Sequence, residues 1–198
     1  MNQEFWNTKY GGPEFHYGEA PNRFLELMLE SRPPGRLLFP AEGEGRNAVY
    51  AARLGWEVHA FDISEKGRAK ALALAKEKGV EINYNLTDAL AFQSNLKFDA
   101  IALIYAHFPS EIRAAVHHKM TALLKPVGEL WLEAFSPGQL SFNSGGPKDE
   151  SMLYSPELLA ADFSDLQIRQ NNVMRYKLAE GPGHEGMAEV IRLRGVKM

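Results

Sequence analysis

The sequence predicts an α/β fold, a mostly parallel sheet of about seven strands with helices on both faces. Three observations predict it. Short continuous apolar runs alternate with helical patterns from Arg36 to Ala134, the rhythm of strands buried on both faces. After Ser136 the rhythm changes to two longer strands around a Gly-Pro-Gly turn, an antiparallel hairpin at one edge of the sheet. The 198 residues, 45% of them hydrophobic, suffice for one core, so residues 1–198 read as a single domain.

Each element follows from its local pattern. The first twenty residues carry Phe5, Trp6, Tyr10, Phe15 and Tyr17 among glycines and prolines, and read as an arm folded over something. A helix starts near Pro21, with Phe24, Leu25, Met28 and Leu29 on one face, and ends at Pro33-Pro34-Gly35. RLLFPA (Arg36–Ala41) is a buried strand, and Arg46–Leu54 a helix closed by Gly55. Trp56–Ile63 is the second strand; Ser64 then caps a helix that stops at Gly79. Val80–Asn85 and Phe98–Ala106 are the third and fourth strands. Ser110 caps a helix to about Leu124, and the fifth strand, GELWLEA, lies within Pro126–Ala134. A loop rich in Gly, Pro and Asn (Ser136–Glu150) leads to a short helix from Ser155-Pro156. Leu166–Leu178 and Ala188–Val196 are the hairpin strands.

Composition removes several function classes. Lys and Arg total 22 against 25 Asp and Glu, a net charge of -3, so nothing draws the chain globally toward nucleic acid or anionic membranes. There is no cysteine, which excludes thiolate nucleophiles, Cys-ligated zinc and iron–sulfur clusters. The N-terminus lacks the basic start and apolar stretch of a signal peptide, and the longest clean apolar run, Ala100–Ala106, is far short of the ~20 residues of a membrane span. The expectation is a soluble, cytoplasmic protein.

The turn after the first strand, AEGEGRNA (Ala41–Ala48), carries the chemical signal. Gly43-x-Gly45-x-x-Ala48 fits the dinucleotide fingerprint, and Asp62, nineteen residues beyond Gly43, stands where a ribose-binding carboxylate belongs. The motif alone admits NAD or another adenosine ligand. Glu42 and Glu44 are unfavourable beside a pyrophosphate but tolerable beside a cation, and an antiparallel C-terminal hairpin departs from a dehydrogenase's second half. S-adenosylmethionine (SAM), which has an adenosine, a sulfonium and an ammonium but no phosphate, fits better.

In order along the chain stand FWNTKYGG…YGEAPNRFL, LLFPAEGEGRNAVYAARLGWEVHAFDIS, NLTDALAF, KFDAIALIYAHFP, LLKPVGELWLEAF, FNSGGPKD and EGPGHEGMAEVIRLRG. On these segments nearly the whole chain resembles class I SAM-dependent methyltransferases, and among them the small tellurite-resistance-type branch related in fold to thiopurine methyltransferases. The resemblance implies a Rossmann-like sheet ordered 3-2-1-4-5-7-6 with strand 7 antiparallel. It implies Gly43 and Gly45 beneath the cofactor, Asp62 on the ribose, Ile63 on the adenine face, and Asp88 with Ala89 at the adenine amino group. Backbone at Tyr105 would face the methionine ammonium. Tyr10, Asn22 and Ala41 would also contact the cofactor, with Trp6, Tyr10 and Tyr17 as a lid and Asn22 near the methionine carboxylate. Tyr17, Phe135, Asn143 and His184 would face the acceptor. One departure stands out: the family's acid at the end of the first strand is Phe39 here and its first glycine is Ala41, so Glu42 would take over the cationic contact.

His107, just past the fourth strand, is the best-placed base or acceptor contact. His117 and His118 are adjacent on a helix and read as a solvated face, not a metal site. YAHFP after the fourth strand replaces the Asp/Asn-Pro-Pro-Tyr of amino-methylating enzymes, and no basic patch interleaved with aromatics supports a nucleic-acid partner. The expected activity is methyl transfer to a small molecule, with a thiol or a chalcogen compound among the acceptors. The alternatives are an NAD(P)-dependent Rossmann oxidoreductase and a non-enzymatic SAM-binding protein.

Overall fold

Alternation along each strand divides the core into two. In β1 (Arg36–Pro40), Leu37 and Phe39 point to one side and Leu38 to the other, all fully buried. The computed structural model describes residues 2–198. Its other strands are β2 (Glu57–Asp62), β3 (Asn83–Leu86), β4 (Phe98–Ile104), β5 (Leu124–Phe135), β6 (Leu166–Ala179) and β7 (Glu185–Lys197). They form one sheet in the order β3-β2-β1-β4-β5-β7-β6. The pairs from β3 to β5 are parallel, and β7 runs antiparallel to both β5 and β6, as the sequence predicts.

Among the described residues there are six α-helices: α1 (Gln3–Lys9), α2 (Arg23–Glu30), α3 (Arg46–Arg53), α4 (Glu65–Glu77), α5 (Ser110–Ala122) and α6 (Pro156–Asp162). The last five lie around the sheet, and α1 packs on α4. Phe24 and Leu25 of α2 and Ala48 and Ala51 of α3 cover Leu37, Phe39 and Trp131 on one face. Val116 and Met120 of α5 and Leu159 of α6 cover Leu38, Ile101 and Leu132 on the other. Among the described residues, no helix is long and apolar enough to cross a membrane.

Several details depart from the sequence reading. The arm holds a seven-residue helix, α1, whose N-cap Asn2 accepts from the Phe5 amide. The helix expected near Pro21 begins at Arg23 because Asn22 is its cap, accepting from the Leu25 amide. β3 starts at Asn83 instead of Val80, and β5 extends back to Leu124 across Val127, which lies at φ 58°. His117 is not on a solvated face. It is fully buried on α5, its Nδ1 is 2.7 Å from Asp162, and its ring stacks on Phe163 at 4.6 Å. Arg113 donates to the same carboxylate, so three ionisable groups close the contact between α5 and α6.

The sheet's topology reverses between β1 and β4, and ligands in open α/β sheets bind beyond the strand ends at such a point. Ala41, just past β1, has φ 52°, and Tyr105, just past β4, has φ 53°. Two non-glycine residues in the left-handed region, each costing about 1–2 kcal/mol, flank the reversal. The Tyr105 amide donates to the Glu133 carbonyl at 2.7 Å, which helps hold that conformation.

Candidate active site

Beyond Ala41 and Tyr105 opens a cavity of about 410 Å³. One wall comes from the strand ends and following loops, with Ala41, Glu42, Asp62, Ile63, Asp88 and Ala89. Tyr105, His107 and Phe135 form the floor at β4 and β5, and Tyr10, Tyr17 and His184 come from the arm and the β6–β7 turn. Thus twelve of the sixteen predicted site residues line one cavity. Asn22, Gly43, Gly45 and Asn143 do not.

The acidic wall is held by backbone donors. The Asp62 carboxylate accepts from the Gly43 amide at 3.0 Å and the Ser64 amide at 2.8 Å. Burial raises its pKa above the ordinary carboxylate range, against the pull of those amides. Glu42 Oε1 accepts from the amides of Asn47 and Ala48, at 3.0 and 2.8 Å, the first-turn donors of α3. Its helix has Gly45 as N-cap with no side-chain cap of its own, so Glu42 does that work from outside. Burial pushes the Glu42 carboxyl up to about 7. Asp88 Oδ1 accepts from the Leu90 and Ala91 amides, and Oδ2 has no protein partner among the described residues.

The two signature glycines serve the fold beneath this wall. A Cβ on Gly45 would lie 2.5 Å from that of Ala71, so the glycine lets α3 and α4 approach. One on Gly43 would stand 2.7 Å from the Tyr10 hydroxyl, and its φ of +68° suits glycine in any case. Phe39, where the sequence resemblance leads one to expect an acid, is fully buried in the core. Ala41 takes the left-handed conformation a glycine would adopt there.

Asn22 is spent on structure. Its amide nitrogen donates to Glu133 at 2.6 Å and to Glu180 at 3.1 Å while its oxygen caps α2, and the residue has no exposed surface. It belongs to a buried polar network that sequence reasoning missed. Glu133 also accepts from the hydroxyls of Tyr105 and Tyr176 and from Arg192 Nε, and Glu180 accepts from Arg46 at 2.6 Å. The only signal for it was charge (Glu133, Arg192) inside otherwise apolar strands.

The expected base needs correction. His107 Nε2 accepts from the Phe135 amide at 3.1 Å, which puts the proton on Nδ1, 2.7 Å from the Met152 carbonyl. Both nitrogens are in use, and burial pushes the pKa down to about 4. His107 is a fixed neutral wall residue with no site for a substrate proton. His184 is different: its Nδ1 is buried without a hydrogen-bond partner among the described residues, 3.8 Å from Glu180. Burial holds its pKa down to about 4 despite that carboxylate. Tyr17 and Tyr105 pack on its ring at 4.3 Å and Phe135 at 5.2 Å.

Three segments close the roof through glycines. A Cβ on Gly183 would be 2.5 Å from the His16 ring, one on Gly181 2.4 Å from the Gly18 nitrogen, and one on Gly145 2.5 Å from the Gly183 carbonyl. The arm, the β6–β7 turn and the 136–149 loop therefore meet backbone to backbone above His184. Asn143 lies on the outside of that loop, exposed.

Residues 40–128 match a family model described as a methyltransferase domain. No curated protein matches the sequence. Solved structures match in fold. One comes from the conversion of a disulfide bond into a thioacetal group during echinomycin biosynthesis, with TM-score 0.79 and 18% identity over 98% of this chain and 91% of that one. The N-methyltransferase NodS from Bradyrhizobium japonicum WM9, in complex with S-adenosyl-L-homocysteine, has TM-score 0.76 and 13% identity over 98% and 97%. TehB from Haemophilus influenzae has TM-score 0.72 and 17% identity over 99% and 67%. At these identities the likeness is one of fold.

Proposed function

We propose, from the match of residues 40–128 to a methyltransferase-domain model, that the chain is a SAM-dependent methyltransferase acting on a small molecule. The observation that carries this reading is the position of Glu42. Its carboxylate occupies the Asn47 and Ala48 amides, the helix donors a dinucleotide pyrophosphate would need. With Asp62 and Asp88 it makes a three-carboxylate wall suited to a cationic, phosphate-free cofactor. That argues against the NAD(P) reading. The cavity also continues beyond that wall to Phe108, Ile112, Phe135 and Met152, which gives an acceptor room and favours an enzyme over a closed sensor.

SAM, when bound, supplies an electrophilic methyl group on a sulfonium sulfur. Asp62 would hold the ribose hydroxyls, Ile63 and Ala89 the adenine, and the unpartnered oxygen of Asp88 the adenine amino group. Glu42 and the Tyr105 backbone would face the ammonium. Tyr17, Phe135 and Met152 exclude water and hold the acceptor in line with the methyl, and such positioning supplies most of the rate. A thiol has an ordinary pKa near ~8.5, so it asks little of a base. Among the described residues, His184 offers the one unpartnered buried imidazole nitrogen of the wall. His107 keeps Phe135 and Met152 in place. The finer reading, a sulfur or chalcogen acceptor in the tellurite-resistance-type branch, is supported by the sequence segments above and by the fold likeness to TehB. The sulfur chemistry of the echinomycin structure also supports it.

Glu42 makes the cofactor step measurable. A free carboxyl with pKa about 7 is half protonated at neutral pH, and a cation bound beside it favours the charged form. SAM binding therefore releases a proton near pH 7, and affinity rises with pH up to about 7 and levels off above. Calorimetry in buffers of different ionisation enthalpy reads this directly. In E42Q the proton release disappears. SAM binding with no proton release from the unaltered protein would remove Glu42 from the cationic site.

A further inference from the structure

The cavity is lined by charges of both signs. Glu42, Asp62 and Asp88 line it with negative charge, and Lys9 of α1 and Lys148 of the 136–149 loop bring positive charge to the same lining. Among the described residues, neither lysine has a carboxylate within ion-pair distance, 4 Å. Four other partly buried cations are paired: Arg46 with Glu180, Lys70 with Glu44, Arg113 with Asp162 and Arg192 with Glu133. Lys9 Nζ instead sits among rings, 5.2 Å from the centroid of Trp6, 5.4 Å from Tyr17 and 5.6 Å from Phe5.

Rings stabilise a cation only in part, and a half-buried ammonium without a counter-ion is costly. Burial already lowers the Lys9 pKa from its ordinary value, and the Lys9 charge adds to the lowering at His184. Lys9 thus bears on the part of the cavity lined by Tyr17 and, packed on it, His184. Its missing partner is an anion.

We propose that the methyl acceptor is itself anionic, a small molecule bearing a carboxylate or similarly compact oxyanion group that Lys9 binds, with Lys148 as the second cation. This rests on the methyl-transfer reading above. A carboxylate could also come from the methionine end of the cofactor, and the two sources differ in which binding constant responds to a change at Lys9.

The test compares 3-mercaptopropionate with its methyl ester, in the unaltered protein and in Lys9→Gln. Transfer is read as S-adenosylhomocysteine formed from SAM, acceptor binding by ligand-observed NMR, and SAM binding by calorimetry. The acid is expected to bind and react at least about 10-fold better than the ester, a charge-assisted contact's worth. K9Q should raise the KM of the acid about 10-fold and bring the two compounds level, with the SAM Kd unchanged; K9R should retain the preference. Equal use of acid and ester by the unaltered protein overturns the proposal and leaves methyl transfer standing. So does a K9Q effect confined to the SAM Kd, which would assign Lys9 to the cofactor. Lys9-dependent binding of the acid without transfer to it would uphold the anion site and, with no turnover across a wider panel of thiols, chalcogen oxyanions and amines, overturn the methyl-transfer reading. No preferential binding of the acid overturns the anion site whether or not transfer occurs.

Discussion

Glu133→Ala is expected to cost about 3–5 kcal/mol of folding free energy, the loss seen when one partner of a buried ion pair is removed. The carboxylate has no exposed surface and takes four donors: Asn22 Nδ2 at 2.6 Å, the Tyr176 and Tyr105 hydroxyls at 2.9 and 3.0 Å, and Arg192 Nε at 2.5 Å. Those donors come from the cap of α2, the end of β4, β6 and β7. Truncation leaves the Arg192 guanidinium without its carboxylate and removes an acceptor from Asn22 and two tyrosine hydroxyls; Asn22 keeps only Glu180, and the hydroxyls keep only each other. Because a domain of this kind is stable by only about 5–15 kcal/mol, the variant should lose a large part of that margin in urea denaturation. Glu133→Gln, which keeps an acceptor oxygen but not the charge, should fall between. A cost under about 1 kcal/mol for the alanine variant would mean that the network does not hold these elements together. Tyr105 would feel the loss at the cavity floor, since its hydroxyl bond and its strained backbone both lead to Glu133.

Asp62→Ala is expected to weaken SAM binding about 100-fold. A carboxylate accepting from both ribose hydroxyls contributes two charge-assisted hydrogen bonds, each about 1.5–3 kcal/mol, of which part returns through solvent. The side chain also fixes the Gly43 and Ser64 amides, so the alanine variant should be modestly destabilised as well. Asp62→Asn separates the two effects: one oxygen still accepts, and the affinity loss should be smaller than for alanine. Calorimetric titration with SAM gives both numbers. Unchanged affinity in the alanine variant would place the adenosine elsewhere.

What could be read from the sequence was what is local or periodic. Two-sided apolar runs such as LLF and AIALI gave the parallel strands, Ser64 and Ser155 announced their helices, and the spacing from Gly43 to Asp62 located the acidic wall. What could not be read depends on residues far apart in the chain. His107 lost both nitrogens to backbone groups of Phe135 and Met152. His117 was buried by α6, which supplies Asp162, and nothing local distinguishes it from its exposed neighbour His118. Asn22 carries a local cap signal, but its Glu133 and Glu180 partners lie more than a hundred residues away. The first helix of the arm is too short to show a period, and its contacts run to α4 and the Gly43 loop.

The central claim is methyl transfer from SAM, and its most direct test is a turnover measurement. The protein is incubated with SAM labelled on the methyl carbon and a panel of thiols, selenium and tellurium oxyanions and amines, with a parallel assay of NADH oxidation against carbonyl compounds. The account predicts label in at least one acceptor, one S-adenosylhomocysteine formed per methyl transferred, no NADH oxidation, and loss of turnover at sub-saturating SAM in Asp62→Ala. Hydride transfer from NADH with no label moved from SAM would contradict it.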